Sequence, residues 1–325
     1  ARLPTSRDEY DLANTFSVVV PDTWVKRGLK LAVSATGADN HVATGPTHIP
    51  AIGSTTKIHL YLVPISYNGV VGKPPGSLQS VKDAFLRTYP YGPNDVVVSL
   101  RAPLVVTGSG STADSAWWDD ALTQLETARS AEQPAGVYYG LVHKDTNSGI
   151  VGLGYVNDRN TGAGFPSVIG IEADNSVGSI NDPFGNLWPV WLATMLHEVG
   201  HNHSLEHVAG CNNPDSTDPA YPYSGGVLGP LPVYNSLYAG VVPGGLKKAV
   251  YGTFNTPMKD VMTYCADGAW LSDFSYAAAQ TFAEARSAIY PAPRLLAAER
   301  SAGDYLTVSG SISGGTVRLD PATSS

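Results

Sequence analysis

The chain has 325 residues, of which 43% are hydrophobic and 15% are charged, and its formal net charge is −8. This composition excludes a disordered chain and a coiled coil, and the length allows one large domain or two modest ones. No apolar run approaches the roughly 20 residues that span a bilayer, and Lys and Arg form no basic stripe that would bind nucleic acid. We therefore expect no membrane span and no nucleic-acid partner. A monomer is also expected. Because no basic, apolar leader stands at Ala1, we expect the signal peptide to be removed or to lie outside this sequence.

Residue patterns in the first half of the chain predict short strands that alternate with amphipathic helices. The first 50 residues contain loops and short strands, such as Phe16–Val20 and Leu29–Ala35, without a helical period. Beyond them, Leu78, Val81 and Phe85 recur at the spacing of one helix face. The elements predicted there are strands at Thr56–Val63, Asp95–Val106, Gly136–Val142 and Ser167–Glu172, helices at Ser77–Thr88 and Ser115–Ala131, and a glycine-rich edge strand at Gly149–Val156.

The second half contains a third helix, a long irregular segment and a last helix. Asn186–Ser204 has apolar residues at helical spacing, and the residues from 208 to 256 are rich in Gly, Pro, Tyr and Asn. The last helix is predicted over Ser272–Ile289, with Ser272 or Asp273 as its N-cap, and Tyr305–Leu319 is strand-like. Strands alternate with helices up to the third helix, which indicates an α/β half with a mostly parallel sheet.

The most informative segment is HEVGHNHSLEH, at residues 197–207, which holds four of the eight histidines. On a helix, His197 and His201 lie on one face, because positions i and i+4 differ by about 40° around the axis. Two imidazoles on that face can bind one metal ion, and Glu198 beside them can act as general base on a metal-bound water. A third ligand has to come from outside this helix face, since a catalytic zinc takes three protein ligands and a water.

This segment resembles the metzincin zinc peptidases, whose pattern is HExxHxxGxxH. His197, Glu198, His201 and His207 match that pattern residue by residue. The resemblance implies that the helix ends just after His201 and that the chain turns back to bring His207 to the metal. Ser204 stands where the family has a glycine of positive φ, a substitution that costs roughly 1 kcal/mol in a left-handed turn.

Three other polar residues of the segment have separate expectations. Asn202 tolerates the left-handed region and is an alternative residue for the turn. We expect His203 to point away from the metal face. Glu206 is expected to be a solvated or outer carboxylate and not a ligand.

A second motif, DVMTYC at residues 260–265, resembles the Met-turn of the metzincins. The resemblance implies that Met262 packs beneath the three imidazoles, where a soft, adaptable side chain fits. Tyr264 follows at the place where astacin-like and serralysin-like members have a tyrosine that binds zinc at rest and swings to stabilise the oxyanion. An ordinary core methionine and a rim tyrosine are the alternatives.

The stretch WLSDFSY at residues 270–276 extends the resemblance, over roughly Leu187–Tyr276, to secreted bacterial metzincins related to mucin-degrading proteases of enteric pathogens. This implies an α/β (α+β) fold with a mixed, mostly parallel twisted sheet, a long active-site helix, an irregular C-terminal half and small β elements at both ends. The implied catalytic domain spans residues 51–293, with a β-rich segment 1–50 packed on it and a β-rich tail, or the start of a further module, at 294–325. The implied activity is that of a secreted zinc-dependent endopeptidase with one catalytic Zn²⁺, acting on internal peptide bonds of glycoproteins, including O-glycosylated, mucin-like ones.

Cys211 and Cys265 each closely follow one of these motifs, so one disulfide is favoured over two buried free thiols. A bridge that closes a loop of about 55 residues contributes roughly 4 kcal/mol on the chain-entropy model. Such a bridge suits an oxidising compartment.

The sequence also suggests a second metal site and two surfaces for the substrate. The segment DSTD at 215–218 offers oxygens for Ca²⁺ but lacks the regular spacing of a calcium loop, which favours a simple turn. The substrate is expected to add as an extended chain to the edge strand Gly149–Val156. Five tryptophans could form a platform for sugars, although filling the core is favoured for most of them: Trp117, Trp118, Trp188, Trp191 and Trp270.

Two other functions agree with parts of the sequence. A thermolysin-type peptidase would take its third ligand from a later helix, for instance Glu284, but it leaves His207 and Met262 unexplained. A glycan-binding adhesin module with a structural zinc would need a fourth ligand, for which Tyr264 is the candidate, and it leaves Glu198 without a role. Loss of turnover on replacement of Glu198 distinguishes the peptidase from the adhesin.

Overall fold

The computed structural model describes residues 16–21, 24–54, 56–132, 135–143, 149–174, 178–181, 187–211, 216–228, 259–265, 268–289, 305–313, 316–319 and 323–324. The chain divides into two compact units. The larger unit comprises residues 55–228 and 257–294, and the smaller unit comprises residues 1–54, 229–256 and 295–325.

Helices and strands are numbered along the chain. The helices are α1 (Leu78–Thr88), α2 (Ser115–Glu132), α3 (Val190–Asn202) and α4 (Asp273–Ile289). The strands are β1 (Phe16–Pro21), β2 (Ser34–Thr36), β3 (Val42–Thr44), β4 (Ile58–Tyr67), β5 (Val70–Val71), β6 (Val96–Leu100), β7 (Leu104–Val105), β8 (Val137–Val142), β9 (Gly152–Gly154), β10 (Ser167–Ile171), β11 (Ser179–Asn181), β12 (Leu187–Pro189), β13 (Lys259–Asp260), β14 (Gly268–Trp270), β15 (Tyr305–Ser313), β16 (Thr316–Leu319) and β17 (Thr323–Ser324).

The larger unit is built on a seven-stranded sheet with the order β5-β4-β8-β10-β9, in which β6 and β7 also pair with β4. β4 runs parallel to β6, β7 and β8, and β8 runs parallel to β10. Only β5 and β9 are antiparallel to their neighbours in this sheet. The prediction of a mixed, mostly parallel sheet is confirmed, and the glycine-rich strand β9 lies at the end of the strand order.

Helices cover both faces of this sheet. Ser167 of β10 donates its hydroxyl hydrogen bond to Glu126 of α2 at 2.7 Å. Successive strand residues point to opposite faces, so Val168 faces away from α2, beside Gly154. A Cβ at Gly154 would lie 3.0 Å from the backbone oxygen of Glu198, which places α3 on this second face. Because both faces are covered, β8 and β10 are buried along their whole length.

The third helix starts later than the predicted Asn186–Ser204, because Leu187–Pro189 forms β12 and pairs with β11. Proline disfavours the helical conformation of the residue before it, so Trp188 is extended and Pro189 directly precedes the helix as its N-cap. Helical structure therefore begins at Val190.

Three predicted strands are shorter than expected. Gly149–Val156 forms only the three-residue strand β9. Asp95–Val106 forms β6 and β7 as separate strands, because Pro103 interrupts the ladder of backbone hydrogen bonds between them. Leu29–Ala35 contributes an isolated bridge from Leu31 to His48 and the start of β2, and not a continuous strand.

The smaller unit contains a separate antiparallel sheet. β15 pairs with β1, β16 and β17, so the strand-like tail forms a hairpin that pairs with the N-terminal strand. β2 and β3 form a second hairpin, and Val25, Leu29 and Leu31 pack against the buried Val20. Within the part of the chain that the structure describes, none of the helices has the length and apolarity to cross a bilayer.

Candidate metal centre

α3 presents His197 and His201 on one face, and their ring centroids are 5.0 Å apart. His207 joins them from beyond the end of the helix. One potential ligand nitrogen from each of the three rings lies within 4.8 Å of the other two. The structure thus brings together the three histidines that the sequence singled out.

Backbone carbonyls determine which ring nitrogen carries the proton in two of these histidines. His197 Nδ1 donates to the Val261 carbonyl at 2.7 Å, and His201 Nδ1 donates to the Leu205 carbonyl at 2.8 Å. The Nε2 atom of each neutral ring therefore keeps its lone pair for a metal. Burial favours the neutral rings, because it lowers the pKa of His197 to about 4 and that of His201 to about 3. Three neutral imidazoles are a donor set that fits zinc.

The turn after α3 directs the chain back towards the metal face. The Ser204 N–H donates to the His201 carbonyl at 2.9 Å, and the Leu205 N–H donates to the Gly200 carbonyl at 3.0 Å. Together with a φ of 65° at Ser204, these bonds form a Schellman motif. Ser204 itself adopts the left-handed conformation, and Asn202, the alternative residue for the turn, remains helical.

His207 lies at the open side of the cluster. Its carbonyl accepts a hydrogen bond from the Asp218 N–H at 2.8 Å, and its Nε2 lies 3.1 Å from the Tyr264 hydroxyl. Burial lowers the pKa of the His207 ring, and a backbone hydrogen bond with Ser216 opposes that shift. Because Tyr264 is 47% exposed, solvent and ligands can reach the cluster from this side.

Glu198 is enclosed between α3 and the edge strand β9. A Cβ at Gly152 would collide with its carboxylate, and a Cβ at Gly154 would lie 3.4 Å from its Oε2. The residue is 6% exposed, and burial raises the pKa of its carboxyl to about 8. The shift brings the pKa of this carboxyl close to neutrality, the range that suits proton transfer.

The Met-turn motif forms a tight turn against α3. Met262 is fully buried, and its sulfur occupies the space that a side chain at Gly200 would need. Asp260 supports the turn from within: Oδ1 accepts the Met262 N–H at 2.9 Å and Oδ2 accepts the Ser272 N–H at 2.9 Å. Burial raises the pKa of Asp260, and these two hydrogen bonds oppose that shift.

Cys211 and Cys265 form a disulfide with their Cα atoms 4.9 Å apart. Cys211 lies shortly after His207, and Cys265 directly follows Tyr264. The bridge therefore ties the segment that carries the third histidine to the Met-turn.

The two remaining polar residues of the motif lie away from the metal face. His203 is buried, with Nδ1 donating to the Val199 carbonyl at 2.8 Å and Nε2 lying 2.7 Å from the Tyr91 hydroxyl. Glu206 is exposed. Neither belongs to the group of converging ligand atoms.

The suggested calcium loop, the alternative ligand Glu284 and the tryptophan platform lie in the following environments. Asp218 Oδ1 accepts the Ala220 N–H at 2.8 Å, as in a turn, and Asp215 lies outside the described residues. Glu284 accepts a hydrogen bond from Gln280 on its own helix at 3.0 Å and is not part of the histidine group. Trp270 is partly buried. The other four tryptophans of the suggested platform are buried in the core: Trp117, Trp118, Trp188 and Trp191.

Three residues at the site were not found from the sequence. Asn157 and Arg159 bind carbonyls at the end of α3, and Asp260 supports the Met-turn. No spacing rule connects Asn157 or Arg159 to α3, since the contact arises only when β9 and β10 pack on the helix. The glycines at 152 and 154 did carry a usable signal, because glycines in a strand often mark a close approach by another group.

Comparisons with known proteins do not assign this chain. No protein-family model matches it, and no curated protein matches it significantly.

Proposed function

We propose that this protein is a secreted, zinc-dependent endopeptidase of the metzincin type. The observation that carries the proposal is the convergence of His197, His201 and His207 beside the enclosed carboxyl of Glu198. Three histidines leave a fourth zinc position for water, as in catalytic sites, whereas structural sites are closed by four protein ligands. The disulfide supports an oxidising, extracellular compartment.

Each residue of the site has a role in peptide hydrolysis. Zinc held by the three histidines would lower the pKa of its water towards neutrality and polarise the scissile carbonyl. Glu198 accepts the proton of the attacking water and returns it to the leaving amine. Tyr264, at the exposed side of the cluster, donates a hydrogen bond to the oxyanion. Met262, whose sulfur packs against Gly200 of the same helix, would support the histidines from beneath.

The proposed substrate is an extended peptide that pairs with β9. This strand lies at the end of the sheet order and contacts Glu198, so a peptide added to its edge would pass the general base. Glycoproteins with O-glycosylated, mucin-like chains are the first candidates. That choice rests on the resemblance of roughly Leu187–Tyr276 to bacterial mucin-degrading metzincins.

Digestion of a mucin-type glycoprotein, before and after removal of its O-glycans, tests this proposal. The enzymes to compare are zinc-loaded wild type, Glu198→Ala and Glu206→Ala, because Glu206 is exposed in the same segment and serves as a matched control. We expect wild type and Glu206→Ala to cleave the glycosylated form and Glu198→Ala to be inactive.

The other outcomes are also informative. Equal cleavage of both glycoforms keeps the peptidase and removes the glycan requirement. Cleavage by Glu198→Ala at the wild-type rate contradicts the mechanism. No cleavage of either glycoform by wild type favours a binding module.

A further inference from the structure

The loop between β9 and β10 supplies hydrogen bonds to the C-terminal carbonyls of α3. The Asn157 N–H donates to the His201 carbonyl at 3.3 Å, and Asn157 Nδ2 donates to the Asn202 carbonyl at 3.0 Å. Arg159 donates through Nη2 to the Ser204 carbonyl at 3.3 Å. The last carbonyls of a helix have no partners within the helix, so this loop stabilises the end of α3.

Hydrogen bonds from this loop matter more for serine at position 204 than they would for glycine. Its φ of 65° lies in the left-handed region, where a residue with a Cβ is less stable than glycine by roughly 1 kcal/mol. The peptide group after Ser204 is held from two sides, since the Leu205 N–H donates to the Gly200 carbonyl and the Ser204 carbonyl accepts from Arg159. Relaxation of Ser204 towards negative φ would rotate this peptide and break both bonds.

The same turn orients two of the proposed metal ligands. The Leu205 carbonyl, which follows the strained residue, accepts the His201 Nδ1–H at 2.8 Å. Arg159 Nη2 also lies 3.9 Å from Asp218 Oδ2, and the Asp218 N–H donates to the His207 carbonyl at 2.8 Å. Arg159 therefore contacts the chain on both sides of His207.

Arg159 is presented by a loop that is ordered by its own hydrogen bonds. Asp158 Oδ1 accepts the N–H groups of Asn160 and Thr161 at 2.8 and 3.0 Å, and Asn157 Oδ1 accepts the Phe165 N–H at 2.8 Å. A guanidinium on such a loop can hold one geometry at a low entropic cost.

We propose that Arg159 is a positioning residue for the metal centre, which compensates for serine at the glycine position of the motif. Arg159 acts through the Ser204 turn on His201 and through Asp218 on His207, and it does not itself bind the metal. This inference rests on the metal-binding part of the proposed function and not on peptide hydrolysis.

The test is the zinc affinity of the full chain, measured by competition with a chelator. The variants are Arg159→Gln and Arg159→Lys, each made in the wild-type and in the Ser204→Gly background. Loss of a partner that orients a ligand lowers metal affinity by about 10-fold to 100-fold, so we expect at least about a tenfold loss for Arg159→Gln. In the Ser204→Gly background we expect a loss below about threefold, because glycine adopts the turn without help.

Two further measurements separate positioning from a general effect on folding. Arg159→Lys should recover part of the zinc affinity, since an ammonium group can donate to the Ser204 carbonyl. The visible spectrum of the Co²⁺-loaded protein should change on Arg159→Gln when residue 204 is serine, and should not change when it is glycine. Lys73→Gln is the control, because Lys73 is an exposed cation paired with Asp174 in the same unit. It should leave zinc affinity unchanged.

Equal losses in both backgrounds, or no loss in either, would overturn the proposal. If Arg159→Gln does not fold, recovery of the folded protein by Ser204→Gly supports it and failure to recover overturns it. Because no substrate is used, an inactive peptidase does not affect this test, whereas a wild type that binds no zinc overturns both proposals.

Discussion

Glu198 and Gly152 approach so closely that a side chain at position 152 would have to displace the carboxylate: an added Cβ would lie 2.6 Å from both Cγ and Cδ of Glu198. The edge strand β9 therefore forms one wall of the site, and glycine at this position leaves room for the Glu198 carboxylate. The contact keeps solvent from the carboxyl, and burial raises its pKa to about 8.

Gly152→Ala should displace the Glu198 carboxylate. If Glu198 is the general base, kcat/KM should fall by about 10-fold to 100-fold, since a shift of about 1 Å in a catalytic group can cost that much. Zinc affinity should stay within about threefold of wild type, because Glu198 is not a ligand. Gly149→Ala is the matched control, since an added Cβ at Gly149 meets nothing within 4 Å. Steady-state kinetics of the three proteins checks this, and equal activities would contradict the contact.

Tyr264→Phe removes the hydroxyl that lies 3.1 Å from His207 Nε2. If this hydroxyl stabilises the oxyanion, kcat should fall by about 10²-fold to 10³-fold with little change in KM. Tyr223→Phe, which removes a hydroxyl bound to Asp273, should keep the wild-type kcat. A loss of zinc affinity in Tyr264→Phe without a loss of kcat per bound zinc would show a structural role for the hydroxyl.

The metal-free protein should be most stable near neutral pH. Burial lowers the pKa of three histidines below the ordinary value of 6.5, to about 4 for His197, about 3 for His201 and about 4 for His203. Their contribution to stability is present above pH 6.5 and is lost as the pH falls towards 4, because only the unfolded chain binds these protons readily. Glu198 acts oppositely: its raised pKa of about 8 gives a contribution that is full below pH 4.5 and is lost as the pH rises through 8.

Urea unfolding of the metal-free protein between pH 5 and pH 9 measures both effects. Each proton contributes at most about 1.4 kcal/mol per pH unit, and the acid side should show a net uptake of more than one proton on unfolding. Glu198→Gln should flatten the alkaline side. A flat profile between pH 5 and pH 7 would contradict the buried neutral histidines.

Removal of the disulfide should destabilise the protein and weaken the site together. The bridge spans 54 residues, and on the chain-entropy model the double variant Cys211→Ser/Cys265→Ser loses about 4 kcal/mol of unfolding free energy. Zinc affinity should also fall, because the bridge joins the segment after His207 to the Met-turn. Reduction of the wild type should reproduce both changes. A double variant with wild-type stability and zinc affinity would exclude this role.

Residue patterns along the chain were enough to predict the candidate metal ligands and the class of the sheet. His197 and His201 were predictable because ligands four residues apart share one helix face whatever the rest of the fold does. The mixed, mostly parallel sheet was predictable because strands and helices alternate along the chain. His207 was found through a motif and not through spacing, since its position depends on how the helix ends.

The orientation and the enclosure of these residues depend on contacts that arise only in the folded protein. The tautomer of His197 depends on the Val261 carbonyl, which comes from a turn far along the chain, and the environment of Glu198 depends on the approach of Gly152. The sequence alone also did not predict that Ser204 would adopt the left-handed conformation of the turn. That conformation costs free energy in serine, and the hydrogen bond from Arg159 to the Ser204 carbonyl forms only in the folded protein. Local patterns report short-range preferences, whereas these contacts join residues that are distant in sequence and form only when the layers pack.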